Sequence, residues 1–137
     1  LIYDIDAFKR YMDKVRELGL HKQTYILAGL GPLKSPGMAR YMKNNVPGIL
    51  VPEELIDRMT AAGDPWADIP KDQLTKEHKS ARTKAWKEEG IKICIDLINQ
   101  VRQIEGVAGV HIMAIEWEEA VKPIAEGAGL LPRPVFD

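Results

Sequence analysis

The stretch that decides the fold covers residues 24–31 and reads TYILAGLG. It is short and almost wholly apolar, whereas a strand with one wet face would alternate polar and apolar residues. A strand without a polar face is typical of a parallel sheet that is covered on both sides. Gly29 and Gly31 lie at its end, and Pro32 prevents simple continuation. The segment therefore predicts a buried parallel strand over residues 24–30.

The segment before this strand predicts a helix. Asp4 or Asp6 can cap it, since a short carboxylate accepts hydrogen bonds from the free N–H groups of a first turn. The helix runs to about Leu18, and Gly19 ends it. Its apolar residues recur at the spacing of one helical face; they are Phe8, Tyr11, Met12, Val15 and Leu18.

The segments after the strand continue the pattern. A short helix is expected from Pro36 to Lys43 with Ser35 as its cap, and another begins at Pro52. A long helix then runs from Thr75 or Ala81 to Ile104. Residues 107–115 form a second apolar segment and predict another strand, which a helix over residues 118–126 follows. Pro123 lies inside that last helix, so it should kink or start late.

The apolar segment Leu1–Tyr3 reads as the end of an earlier strand. The order of elements is then strand, helix, strand, helices, strand, helix, which predicts an α/β fold with about three parallel strands and crossover helices. Three such strands alone would leave bare edges. Because the chain starts inside an apolar segment and not at a methionine, we expect further sequence upstream.

The composition excludes several classes of protein. The chain has 137 residues and a formal net charge of -1, so nothing suggests a nucleic-acid partner. Its apolar runs are too short for a membrane span, and the segment Leu1–Asp4 does not read as a secretory signal, since it lacks a basic region before an apolar stretch. The single cysteine, Cys94, cannot form an internal disulfide, and a cytoplasmic location is the default. Residues 71–89 are rich in lysine and arginine, which predicts a solvated helix face in preference to a phosphate-binding patch.

Candidate site residues lie at the carboxyl ends of the strands, where parallel α/β folds place their active sites. Gly29 and Gly31 could let the backbone approach a flat ligand, or form a strand-end turn. No dinucleotide fingerprint is present, because the third glycine is missing. His111 has no metal-ligand neighbour, so no metal site is expected, and we predict a buried histidine. Cys94 is expected in the core.

Two further groups near the strand ends allow two interpretations each. Met38 and Met42, four residues apart, are either core residues or an apolar wall for a ligand. Glu116 and Trp117 are either a ligand-facing acid and an aromatic platform, or the start of a helix with a packed tryptophan.

Four motifs in this order resemble the methylenetetrahydrofolate reductase family. They are LIYDIDAF at 1–8, ILAGLGPL at 26–33, VPGILVPE at 46–53 and GVHIMAI at 109–115. The resemblance covers nearly the whole chain. It implies that residues 1–137 are a single partial domain, the last three strand-helix units of a (βα)8 TIM barrel.

The resemblance also implies a function. The family uses a bound flavin, FAD or FMN, to reduce 5,10-methylenetetrahydrofolate to 5-methyltetrahydrofolate. The proton-donating glutamate and most flavin contacts are expected upstream of residue 1. No catalytic residue is therefore expected in this chain, and the chain alone should be inactive.

The resemblance is incomplete at the folate-binding positions. Many members carry a glutamine and a phenylalanine where this chain has Met38 and Met42, and a tyrosine and an arginine where it has Met113 and Trp117. We therefore predict a less polar folate wall. Its residues are Gly31, Pro32, Met38, Met42, Met113 and Trp117.

Two classes of function stay open. One is the flavin-dependent reductase. The other is a TIM-barrel one-carbon methyltransferase, or a non-catalytic reductase-like partner subunit. A homo-oligomer or a complex with redox partner subunits is possible in either class. The residue at the upstream glutamate position would decide between them.

Overall fold

The computed structural model describes residues 1–135, which form a mixed α/β fold. From Ile5 onward the chain follows the order of helices and strands that the sequence predicts. Short 3₁₀ turns connect several of them, at Leu20–Lys22, Asp64–Trp66, Lys71–Gln73 and Glu118–Ala120. The main elements are α1 (Ile5–Glu17), β1 (Ile26–Leu30), α2 (Pro36–Asn45), α3 (Glu53–Ala61), α4 (Lys76–Val101), β2 (Val107–Ile112) and α5 (Val121–Gly127).

The two strands pair in parallel, as predicted. Leu27 is opposite Gly109 and Leu30 is opposite Ile112, with one irregularity between Ile26 and Leu27. Parallel pairing needs a crossover connection, and the connection that includes α4 provides it. The loops after β1 and β2 therefore leave the sheet at the same edge.

The prediction of a third strand at Leu1–Tyr3 is wrong for the described residues. The segment does lie beside β1, because the Ile2 amide donates a 2.8 Å hydrogen bond to the Gly29 carbonyl. It reaches only the end of β1, however, and one hydrogen bond does not make a ladder. The sheet of residues 1–135 consequently has two strands.

The two faces of the sheet differ, which corrects a second prediction. Ala28 and Leu30 are buried, whereas Leu27 is 61 % exposed. His111 is exposed as well, so the expectation of a buried histidine is wrong. Side chains alternate along a strand, and the helices cover only one of the two faces. The other face, which includes Leu27, His111 and Met113, lacks a covering layer among residues 1–135.

The core surrounds α4, and most of the predicted helix boundaries are confirmed. Side chains of Asp4, Ser35 and Thr75 cap α1, α2 and α4. Thr75 is thus the correct alternative for the start of the long helix. The helix α5 starts late, after the 3₁₀ turn, so Pro123 lies near its beginning. The buried side chains of α4 are Ile93, Cys94, Leu97, Ile98 and Val101, which confirms the core position of Cys94.

Candidate functional site

The candidate site is the edge of the sheet where the loops 31–35 and 113–117 lie side by side. The Met113 amide donates a 2.7 Å hydrogen bond to the Leu30 carbonyl, and the Lys34 ammonium donates a 2.8 Å hydrogen bond to the Glu116 carbonyl. In parallel sheets, ligands bind outside the carboxyl ends of the strands. These two hydrogen bonds fix the shape of that edge.

Gly31 is required by the contact between the two loops. A Cβ atom at this position would lie 2.3 Å from the Met113 carbonyl oxygen. A Cβ at Gly29 would lie 2.7 Å from the Met113 methyl carbon. The structure therefore favours the interpretation of these glycines as a strand-end turn. The space beside Gly31 is filled by the Met113 carbonyl and not left for a ligand. Pro32 is buried behind the turn.

The predicted apolar side chains divide into two groups. Met42 and Trp117 are each 8 % exposed and belong to the hydrophobic core. Met38 is half-buried, and its sulfur accepts a 3.4 Å hydrogen bond from the Lys34 amide. Met113 is half-buried and lies on the uncovered face of the sheet. Burial favours a core role for Met42 and Trp117. Met38 and Met113 are only half-buried, so part of each side chain is accessible to a ligand.

Two lysines at this edge were not predicted from the sequence. Lys34 holds the Glu116 carbonyl, and the Lys87 ammonium lies 5.4 Å from the centroid of the Trp117 ring, a cation–π contact. Lys34 could have been noticed as the one charged residue directly after the apolar segment 24–33. No sequence signal places Lys87 at Trp117, because α4 brings it there from a distant segment.

Glu116 adopts a left-handed backbone conformation with φ of 52°. This region is uncommon for residues other than glycine. The Lys34 hydrogen bond to its carbonyl stabilises this bend, which turns the chain from β2 toward Trp117. Its side chain is exposed at the edge of the sheet.

Tyr3 and Cys94 are buried ionisable groups near the same strands. Burial raises the pKa of the Tyr3 hydroxyl well above its usual value, and the nearby Cys94 adds to the shift. Burial also raises the pKa of the Cys94 thiol to about 12. Both groups therefore stay protonated at neutral pH, so Cys94 lacks the thiolate that a nucleophile needs.

The residues at this edge do not by themselves fit a flavin. A flavin needs hydrogen-bond donors for its phosphate and its ring. The Lys34 ammonium, the one charged donor of the loop 31–35, is directed to the Glu116 carbonyl, and the Ser35 hydroxyl oxygen accepts from the Met38 amide to cap α2. Residues 1–135 also bring together no group of three metal-ligating side chains.

Two surface depressions lie outside the predicted set of residues. One, of about 130 Å³, is lined by Leu1–Asp4, Ala7, Phe8, Gly48 and Leu50. The other, of about 580 Å³, is lined by side chains of α4 alone. No helix in the described part of the chain is long and apolar enough to cross a membrane.

Comparison with known proteins identifies the family. The model of the family described as methylenetetrahydrofolate reductase matches residues 1–129. No curated protein and no solved structure matches the chain. The family match covers most of the chain, including both strands and the loops of the candidate site. The chain therefore belongs to the methylenetetrahydrofolate reductase family.

Proposed function

We propose that the full-length protein carries out the flavin-dependent reduction of 5,10-methylenetetrahydrofolate to 5-methyltetrahydrofolate. The observation that carries this proposal is the family match over residues 1–129. A flavin, FAD or FMN, supplies the redox chemistry when bound. In this proposal its contacts and the proton donor belong to other parts of the protein, as the family resemblance implies.

In this proposal residues 1–137 form one side of a (βα)8 barrel and part of its folate wall. Two features support the barrel: the strands β1 and β2 are parallel, and helices cover only one face of their sheet. In a closed barrel the other face points inward, where further strands complete the packing. Leu27, His111 and Met113 would then lie inside.

The six predicted substrate-binding residues take different roles in this wall. Met113 and Met38 offer soft, polarizable surface to a flat ligand. Gly31 and Pro32 form the turn that leads from β1 toward α2, the helix that carries Met38. Met42 and Trp117 pack behind this surface and hold it in place. In this proposal the chain itself contributes shape and binding to the reaction, and the proton donor lies elsewhere in the protein.

Binding of the reaction product tests the proposal without requiring turnover. We expect the complete protein to bind 5-methyltetrahydrofolate, with equilibrium dialysis as the measurement. Met113→Ala should weaken this binding by about tenfold, which corresponds to about 1.4 kcal/mol. The matched control is Tyr25→Ala, at the opposite end of the sheet, which should leave binding unchanged.

If the complete, folded protein shows no affinity for the reduced folate, the reductase function is wrong. A non-catalytic partner subunit would then be the better interpretation of the fold. If Met113→Ala and Tyr25→Ala behave alike, Met113 is not part of the wall.

A further inference from the structure

His111 is the one polar residue in the strands β1 and β2, whose other residues are apolar or glycine. Its side chain is exposed on the uncovered face of the sheet. On the neighbouring strand it is opposite Gly29, which has no side chain to cover it. An otherwise apolar face therefore carries a single imidazole close to the carboxyl end of β2.

The imidazole is near the surface that Met113 offers to a ligand. Residues two apart on one face of a strand are separated by about 6.6 Å along it. The Met113 methyl group leans over Gly29, since a Cβ atom there would lie 2.7 Å from it. His111 and Met113 thus border the same glycine. A flat ligand that touches Met113 is consequently within reach of the imidazole.

The described residues leave this imidazole without a polar partner. Within residues 1–135 neither of its ring nitrogens takes part in a side-chain hydrogen bond or an ion pair. In the proposed barrel this face points inward, and burial of a polar group without a hydrogen bond costs free energy. The partner must then be a bound ligand or another segment of the full-length protein.

We propose that His111 binds the substrate of the proposed reaction, through a hydrogen bond between its imidazole and the pterin ring of the reduced folate. This inference rests on the proposed function and adds a polar contact to the apolar folate wall. Barrels of this kind bind ligands at the carboxyl ends of their strands, and His111 is the second-last residue of β2. An imidazole offers a donor and an acceptor, which suits the N–H and C=O groups along the edge of a pterin.

The test measures the dissociation constant of 5-methyltetrahydrofolate on the complete protein, whose flavin is kept reduced so that it cannot accept a hydride from the ligand. His111→Leu keeps the bulk of the side chain and removes its polar atoms. It should weaken binding by about tenfold, the effect of one lost hydrogen bond. His111→Gln keeps a donor and an acceptor, so its constant should stay within about threefold of the wild-type value.

The stability of the folate-free protein separates this role from a structural one. His111→Leu should leave its melting temperature unchanged or raise it, because an apolar side chain suits an inward position that lacks a polar partner. The matched control is His78→Leu, since the His78 Nδ1 atom accepts a 3.3 Å hydrogen bond from the Thr75 amide at the start of α4. This control should lower the melting temperature and leave the folate constant unchanged.

Three results would overturn the inference. A lower melting temperature of folate-free His111→Leu protein would place the partner of the imidazole in another segment of the chain. A folate constant that His111→Leu leaves unchanged would exclude the contact, and one that His111→Gln weakens as much as His111→Leu would exclude the hydrogen bond. In all three cases the wild-type protein still binds the folate, and the proposed function stands. No binding by the wild-type protein would reject the proposed function itself.

Discussion

At the scale of single residues, the closest packing lies where α4 crosses the loop after β1. A Cβ atom at Gly90 would lie 1.7 Å from the Leu33 carbonyl oxygen, so helix and loop must separate to admit it. Gly90→Ala should therefore lower the free energy of unfolding by about 1–3 kcal/mol, the usual cost of overpacking. Urea denaturation of the complete protein measures this change.

Gly37→Ala is the control for this substitution. Gly37 is also helical, but it is exposed, and an added Cβ would meet only the Ser35 hydroxyl at 3.7 Å. Alanine should raise the stability there by up to about 1 kcal/mol, because glycine is the poorer helix former. Equal effects of the two substitutions would contradict the close approach at Gly90.

The buried thiol of Cys94 predicts how stability depends on alkaline pH. Its pKa is raised to about 12 in the folded chain, against about 8.5 in an unfolded one. Folding therefore favours the protonated thiol, and its contribution is complete below about pH 8.5 and lost as the pH rises toward 12. Between these limits Cys94 should lower the free energy of unfolding by about 1.4 kcal/mol per pH unit.

Cys94→Ala should reduce that slope by the same amount, whatever it does to stability at neutral pH. Tyr3, whose pKa is also raised, should add a second decline that begins near pH 10. The readout is the free energy of unfolding as a function of pH. A slope that Cys94→Ala does not alter would show that the thiol already ionises in the folded state.

Residue positions were predictable from sequence where the cause is local. The caps Asp4, Ser35 and Thr75 follow from a short polar side chain before a helical pattern. Cys94 follows from its place on an apolar helical face. The exposure of His111 and the burial of Trp117 depend on which face of the sheet the helices cover. That information is tertiary, and no local pattern contains it.

At the scale of elements, Arg58 joins α3 to α4. Its guanidinium lies 2.8 Å from the Glu89 carboxylate and 3.1 Å from that of Asp96. The site is partly exposed, so Arg58→Ala should cost about 0.5–1 kcal/mol of stability and less at high salt. Lys122→Ala, which removes a 3.8 Å pair on α5, should cost less. If both substitutions cost the same, the Arg58 network does not stabilise the packing of α3 on α4.

Helices were easier to predict than strands in this chain. Apolar residues at the helical spacing mark α1 and α4 directly, and the structure moves their ends by only a few residues. The prediction of a third strand was wrong, because strand pairing depends on how far Leu1–Tyr3 extends along β1. The apolar run of residues 24–30 correctly indicated a parallel strand. Whether other segments cover the second face of this strand could not be predicted from the strand's own residues.

At the scale of the whole molecule, the uncovered face of the sheet predicts self-association of the isolated chain. Leu27 is 61 % exposed there and Tyr25 is 88 % exposed at the start of β1. Two strands with free edges also offer backbone groups for further pairing. Size-exclusion chromatography of residues 1–137 alone should show oligomers or aggregates. A sharp monomer peak with cooperative unfolding would contradict this expectation.

The candidate site was predictable in part from the sequence. The carboxyl end of β1 was located from its apolar segment, whereas β2 ends at Ile112 and not at the predicted Ile115. The structure brings Gly31 and Met113 together beyond these ends. The contacts of Lys34 with Glu116 and of Lys87 with Trp117 were not predicted, because each joins residues that are far apart in sequence.

A single-turnover experiment under anaerobic conditions tests whether the full-length protein reduces methylenetetrahydrofolate with a flavin. The complete protein is loaded with FAD or FMN, the flavin is reduced chemically, and 5,10-methylenetetrahydrofolate is added. We expect the flavin absorbance to return and 5-methyltetrahydrofolate to form in equal amount, while residues 1–137 alone produce none. Flavin that stays reduced in the presence of bound folate, with no 5-methyltetrahydrofolate formed, would contradict the proposed reductase function.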